Sequence, residues 1–411
     1  MSNLLSLEKQ TRLAGDSSST GQLLVQIVQF YFEFRQFDEL NNCIVVLCKK
    51  RGQLKRAITV MIQKCMEFVD SMNEMDLKLS LIETLRTATE GKIFVEVERA
   101  RLTMTLSKIQ ESSGKVKEAM MTLNELQVET FGSMEKREKT MFLIEQTRLC
   151  YAVQDYSQAQ IVANKISVKV FENNENEDLK LQYYDLLVLL AVYRADFLDC
   201  CKFHLEIANT NLIQQDASKY LFALKLAIVF SILSPFGEEQ IELKRKLSTN
   251  NKIESIPMYH ELLTCFQRDE LIRWPVIEDV YKSELVSLFV FDQSTEDGRK
   301  RWDFLRERIT DHNIRVISFY YTQVSIPRLM VLLDSDQESV EKSLAKLVSN
   351  QTIYAKIDRP AGTVNFHQAK SPVTVINEWS NSINSLLKLV VETTHLIAKE
   401  EMTLNIQKKL K

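Results

Sequence analysis

Four segments of this chain open alike, and a repeat of that length restricts the fold more than any single motif. They are QFDELNNCIVVLCKK, KVKEAMMTLNELQVE, DYSQAQIVANKISVK and DFLDCCKFHLEIANT. Each begins, just after a polar or glycine-containing turn, with an apolar residue: Phe37, Val116, Tyr156 and Phe197. The spacings are 79, 40 and 41 residues; the first is nearly two beats, and Leu77 fills the missing position. Small or apolar side chains follow three residues on, at Leu40, Ala119, Ala159 and Cys200, and seven on, at Ile44, Leu123 and Ala163. His204 breaks the last of these. A helix brings such positions to one face. A beat near forty residues is what stacked helical hairpins produce, each burying a stripe against its neighbour. The expectation is an α-solenoid.

Within one beat, KREKTMFLIEQTRLCYAV is expected to turn Met141, Ile144, Leu149 and Val153 toward a core. VQDY makes the turn, and SQAQIVANKISVKVF returns with Ile161, Ile166 and Val170. The polar run from Glu172 to Lys180 has no fixed ligand spacing and reads as a solvated loop.

The composition agrees with a helical chain. Nine Gly and six Pro in 411 residues favour long helices over turn-rich β structure. With 52 Lys and Arg against 55 Asp and Glu, no excess of positive charge points to nucleic acid. The start MSNLLSLEKQ lacks the basic and apolar regions of a signal peptide, and the apolar run Leu186 to Tyr193 is too short to span a bilayer. Seven cysteines without C-x-x-C fit a reducing compartment, and Cys200 and Cys201 read as small residues on a buried helix. The histidines at 204, 260, 312, 367 and 395 form no H-x-H or H-E-x-x-H motif. No metal, cofactor or catalytic residue is therefore expected.

Toward the C-terminus the period changes. Ser325 with Pro327 opens a helix bearing Ile326, Leu329, Met330 and Leu333 on one face. Ser335 and Glu338 have capping-box spacing before a second helix with Val340, Leu344, Leu347 and Val348 inward. Ile353, Ala355 and Ile357 then alternate with Tyr354 and Lys356 as a strand, Asp358 to Gly362 turns, and Val364 and Phe366 return. Helix, helix, hairpin is the order of a winged helix. Its second helix carries Asp336, Glu338 and Glu341 against Lys342 and Lys346. A net acidic helix is a poor match for phosphates, which argues against DNA. After Pro372, the residues Ile376, Trp379, Ile383, Leu386, Val390, Thr393 and Ile397 run in steps of three and four. This is a seam sustained over three heptads, widened by Leu387, Val391 and Thr394. A helix with so broad an apolar face needs a partner.

A helical-repeat arm, a winged helix and a terminal helix in that order resemble the PCI-domain proteins. These are scaffold subunits of the proteasome lid, the COP9 signalosome and a translation initiation factor complex. The stretches LLSLEKQTR, ETLRTATEGKIFVEVERARLT, ELQVETFGSMEKREK, FLIEQTRLC, DHNIRVISFYYT, TIYAKIDRPAGTVNF and THLIAKEEM are similar, more narrowly, to the family of the non-ATPase lid subunit five of the 26S proteasome regulatory particle. The similarity runs over nearly the whole chain, with no clear signature between Ser231 and Trp274. The family usually has a further helical segment before LLSLEKQTR, and only Met1 to Asn3 precede it here, as in a variant or tissue-restricted paralogue.

The resemblance implies an all-α-dominated chain in four parts. These are a solenoid over 1–195, the helical part of a PCI domain over 196–300, its winged helix over 301–371, and a bundle helix over 372–411. It also implies a non-catalytic scaffold of the cytoplasm and nucleus, supporting degradation of ubiquitinated proteins, with no nucleic acid or membrane to bind. Its partners would be other PCI-domain lid subunits, the lid deubiquitinase subunit and neighbouring proteasome subunits. In such assemblies hairpin strands add to neighbouring edges and terminal helices gather in a bundle. Here those contacts fall to Ile353, Ala355, Ile357, Val364 and Phe366, and to Ile376, Trp379, Ile383, Leu386, Val390 and Ile397. The alternatives are the equivalent scaffold of the signalosome or initiation factor, and a winged-helix nucleic-acid binder.

Overall fold

The same three-residue turn recurs through the first half of the chain, and it sets the beat. Ser2–Leu13 passes to Ser17–Glu33, and Ser17–Glu33 to Phe37–Lys49. Further on, Glu96–Ser112 passes to Val116–Asn124, Lys136–Ala152 to Tyr156–Asn164, and Glu177–Tyr193 to Phe197–Ala208. In each turn the residue two before the new helix is left-handed: Gly15, Arg35, Gly114, Gln154 and Ala195, with φ from 54° to 79°. Its N–H and the next one bond back into the helix just ended, as in Gln154 N–H to Tyr151 O and Asp155 N–H to Cys150 O. This is the Schellman closure, which satisfies carbonyls that a helix end would otherwise leave bare. Asp16, Asp155 and Asp196 then cap the new helix by accepting backbone N–H groups. Phe37, Val116, Tyr156 and Phe197, the openings read in the sequence, are each the first residue of a helix.

The computed structural model describes residues 2–72, 74–172, 176–367 and 372–409, without the side chains of 2, 251 and 404–409. Among them are 20 α-helices and one three-stranded sheet. The chain divides into two units, residues 1–260 and 261–411.

In the first unit the stripes point inward. Leu40, Ala119, Ala159, Cys200, Ile44, Leu123 and Ala163 are fully buried, and so is His204 to within a few per cent. Adjacent apolar residues are where period alone misleads. Met141 and Ile161, expected in the core, face solvent, while Phe142, Leu143 and Val162 beside them are buried. Ile144, Leu149 and Ile166 are buried as expected, whereas Val153 and Val170 are only half-buried. Part of the polar run after Glu172, residues 173–175, lies outside the described residues, and its end already belongs to the helix Glu177–Tyr193.

Ion pairs cross from one hairpin to the next: Arg86 to Glu125 at 2.9 Å, Arg101 to Glu138 at 2.7 Å, Arg148 to Glu111 at 2.6 Å, Arg137 to Asp178 at 3.2 Å and Lys202 to Glu239 at 2.8 Å. Their partners stand 37 to 41 residues apart in sequence, one beat each. In Ala217–Leu233 every residue from Leu226 to Leu233 is buried. Gln240 ties off its end, donating from Nε2 to the carbonyls of Ser231 at 2.8 Å and Ser234 at 2.9 Å.

In the second unit, Trp274–Val286 precedes the 25-residue helix Glu296–Tyr320. The DHN of that helix is buried for a local reason. Asn313 holds both backbone groups of Ile272, accepting its N–H at 2.8 Å and donating to its carbonyl at 2.7 Å. His312 Nε2 meets the Glu270 carbonyl at 3.1 Å, and Asp311 takes Arg308 at 3.0 Å. Three short strands follow: β1 (Gln323–Ser325), β2 (Lys356–Asp358) and β3 (Thr363–Asn365), in antiparallel order β1-β3-β2.

Candidate subunit interface

The winged helix is built as the sequence implies, with three local differences. β1 was not foreseen; it pairs Val324 with Val364 and completes the sheet. Ser325 is the N-cap of Ile326–Leu333 by position only. Its side chain makes no capping bond, and the Ile326 N–H bonds to the Gly362 carbonyl at 2.8 Å. The capping box at Ser335 and Glu338 does not form. The chain leaves the first helix through left-handed Asp334, Asp336 takes the N-cap place, and the second helix runs Gln337–Ser349. Val348, expected inward, is exposed.

The core of this module takes Ile326, Leu329, Leu333, Val340, Leu344 and Leu347 from the two helices, and Ile314 and Ile317 from Glu296–Tyr320. It also takes the hairpin. Val364 and Phe366 are buried in it, and Ile353, Ala355 and Ile357 pack against it half-buried. Val364 and Phe366 therefore help to complete their own module, and Ile353, Ala355 and Ile357 turn one side toward its core. What the hairpin also offers a neighbour is backbone. β3 is central, so β1 and β2 each keep one unpaired edge. Beside β1, Phe319, Tyr320 and Tyr321 are all exposed, with Phe319 and Tyr320 ring to ring at 5.1 Å. Sequence reasoning passed over them, although three consecutive aromatics at a helix end cannot all face one core.

Two of the basic groups that could meet DNA are engaged within the module. Arg359 on the hairpin pairs with Glu341 at 2.9 Å, and Lys346 pairs with Glu307 at 2.9 Å. Asp336 and Glu338 stay exposed at the start of the second helix, where a recognition helix needs positive or amide side chains.

The terminal helix is the opposite of the hairpin. Pro372–Lys409 spans 38 residues, and every described side chain from Pro372 to Thr403 is exposed. Its seam residues Ile376, Trp379, Ile383, Leu386, Val390 and Ile397 range from 41% exposed at Ile383 to 67% at Trp379. Leu389 and Leu396, outside the seam as read, widen the apolar surface further. The hydroxyls on this helix need no outside partner. Ser382, Ser385, Thr393 and Thr394 each donate to the carbonyl four residues back, at 2.7 to 2.9 Å. Burying Thr393 and Thr394 in a bundle would therefore strand no donor.

A repeat arm followed by a module of this kind and a free apolar helix defines a PCI-domain protein. Three family models match in the same order. The N-terminal model described as PSMD12/CSN4 covers residues 1–216, the PCI domain covers 267–368, and the C-terminal domain of 26S proteasome regulatory subunit RPN5 covers 374–404. The 26S proteasome non-ATPase regulatory subunit 12 of Dictyostelium discoideum is 43% identical over 97% of this chain and 89% of its own length. The 26S proteasome regulatory subunit RPN5 of Saccharomyces cerevisiae is 40% identical over 100% of this chain and 92% of its own. COP9 signalosome complex subunit 4 of Caenorhabditis elegans is more distant, at 23% over 78% of this chain and 74% of its own. The chain belongs to the family of 26S proteasome regulatory subunit RPN5, also called non-ATPase regulatory subunit 12.

Proposed function

We propose that this chain is a scaffold subunit of a proteasome regulatory-particle lid, acting through contacts with neighbouring subunits and without chemistry of its own. The observation that carries this reading is the exposed seam of Pro372–Lys409. It offers a row of large side chains, each worth about 1.5–3 kcal/mol on full burial, with no cover from the described residues of its own chain. Its partners are other PCI-domain subunits, whose terminal helices would share a bundle, and the lid deubiquitinase beside them. The open edges of β1 and β2 offer a second contact by strand addition. Cytoplasm and nucleus, where ubiquitinated substrates are met, are its place of work.

The thiols suit this non-catalytic role. Burial pushes Cys43 up to about 11 and Cys201 up to about 12, far from the thiolate that a cysteine hydrolase needs. The test is purification of the tagged full chain from cells, with partners identified by mass spectrometry. Proteasome lid subunits in equal amounts are expected. Recovery of signalosome or initiation-factor subunits instead, or of nucleic acid without protein partners, would overturn the proposal.

A further inference from the structure

One turn of the arm concentrates positive charge that the fold does not use. Residues 49–56, KKRGQLKR, carry five cations and no carboxylate. They join the end of Phe37–Lys49 to the start of the helix Lys55–Ser71. One of the five is engaged. Lys50 meets the buried carboxylate of Glu8 at 2.9 Å, and Arg12 takes the other oxygen of Glu8 at 3.1 Å. Arg12 also donates to the Arg51 carbonyl at 2.6 Å, which holds the turn against the first helix. The side chains of Lys49, Arg51, Lys55 and Arg56 are exposed and make no ion pair with any described residue.

Two of these cations stand where the helix itself disfavours them. Lys55 and Arg56 open a 17-residue helix, whose first turn already carries partial positive charge. Leu54, at the N-cap, gives no side-chain bond, and no acidic residue lies in that turn. Asp16, Asp155 and Asp196 fill this place on other helices of the arm. Beside it, both Nε2 and Oε1 of Gln53 are buried without a hydrogen-bond partner. The carboxylates of the two helices lie at their far ends, Asp38 and Glu39 on one, Glu67 and Asp70 on the other. About 15 Å of helix separates them from the turn. The neighbouring turn only adds to the excess. Its Lys92 donates to the Cys48 carbonyl at 3.1 Å, and its exposed Glu90 pairs with none of these cations.

Like charges gathered without a counter-charge cost stability, and an anionic partner supplies what the chain lacks. We propose that this turn is a docking surface for an acidic segment of a partner protein, whose Asp and Glu side chains pair with Lys49, Arg51, Lys55 and Arg56. Carboxylates suit it better than nucleic acid. Between Phe37 and Phe68 there is no aromatic residue on which a base could stack. The surface is distinct from the terminal helix, and its chemistry does not depend on which assembly the chain enters.

The full chain would be titrated with a fluorescein-labelled octaglutamate peptide, with octaglutamine and with a labelled oligothymidylate, at low and at physiological salt. Saturable binding of octaglutamate is expected, more than about tenfold tighter than octaglutamine and weakening as salt is added. Lys55→Gln with Arg56→Gln should weaken it about five- to tenfold, as the loss of two exposed pairs requires. Adding Lys49→Gln and Arg51→Gln should abolish it. The melting temperature should hold or rise in these variants, because a charge clash at a helix start has been removed. Arg245→Gln with Lys246→Gln, two exposed cations elsewhere in the same unit, should leave binding unchanged. Four results would overturn the proposal: no saturable binding of octaglutamate, binding that survives the fourfold substitution, an equal loss in the Arg245 and Lys246 control, or tighter binding of oligothymidylate, which would assign the turn to nucleic acid.

Discussion

Two of this chain's apolar helices have opposite fates. Ala217–Leu233 is buried without a break from Leu226 to Leu233. Pro372–Lys409 shows every described side chain to solvent. Both are rich in Leu, Val and Ile, so hydrophobic content does not separate them. Angular distribution does. The first, from Leu226 to Leu233, is apolar on all sides but for Ser231 and can only be stable inside its own fold. The second keeps Glu378, Asn381, Lys388, Glu392 and Lys399 away from its seam, which leaves one broad face for something outside the chain. A sequence thus encodes not only what is buried but by whom.

The largest effect should come from attacking the second helix. Ile383→Asp with Leu386→Asp puts two charges in the proposed bundle and should abolish entry into a large complex on size exclusion. The melting temperature of the isolated chain should stay within about 2 °C, because exposed positions carry little stability. A marked drop would show that the helix is covered by its own chain, and the contrast between the two helices would collapse. Leu224→Ala tests the other side. It should cost about 2–5 kcal/mol in denaturant unfolding, against less than about 0.5 for Leu386→Ala in the isolated chain. Equal costs would mean that the two helices do not differ as described.

A third prediction concerns the polar exception inside the buried unit. The folded-state pKa of His204 lies below that of the unfolded chain, so the unfolded state binds the proton first. Stability should be intact above about pH 6.5 and fall by up to about 3 kcal/mol as the pH drops to about 4. His204→Leu should flatten that part of the pH profile, and an unchanged profile would show that His204 is not its source. The smallest effects lie in the turns. Gln154→Gly and Ala195→Gly should each raise stability by about 0.5–1 kcal/mol, since an L-residue is strained at these left-handed positions. Gly114→Ala should lower it by a similar amount.

The parts of this architecture that were legible are those governed by local periodicity. Phe37, Val116, Tyr156 and Phe197 were read as helix openings, and their inward stripes followed from spacing alone. Met141 and Ile161 were misplaced because each has an apolar neighbour about 100° round the helix, and period cannot choose between adjacent candidates. β1 stayed hidden because three residues with one buried side chain, Val324, make no alternation. The hairpin was located, but whether Ile357 or Val364 faced inward or toward another subunit depended on a core assembled from four separate segments. A hollow lined by Asp185, His204 and Leu226 joins side chains from the helices Glu177–Tyr193, Phe197–Ala208 and Ala217–Leu233, and no window of sequence holds them together.

The ion pairs between successive hairpins have a mechanical meaning. The joints of the arm have a greasy pivot, whose stripes fix the stacking, and several add an outer stay, a strut of Arg or Lys paired with Glu or Asp. An exposed pair of this kind is worth about 0.2–1 kcal/mol, close to the thermal energy. Opening one strut therefore bends a joint at little cost without unthreading the pivot, and small bends add along the row. Added salt screens the struts and leaves the pivots alone, so the arm should slacken before it weakens.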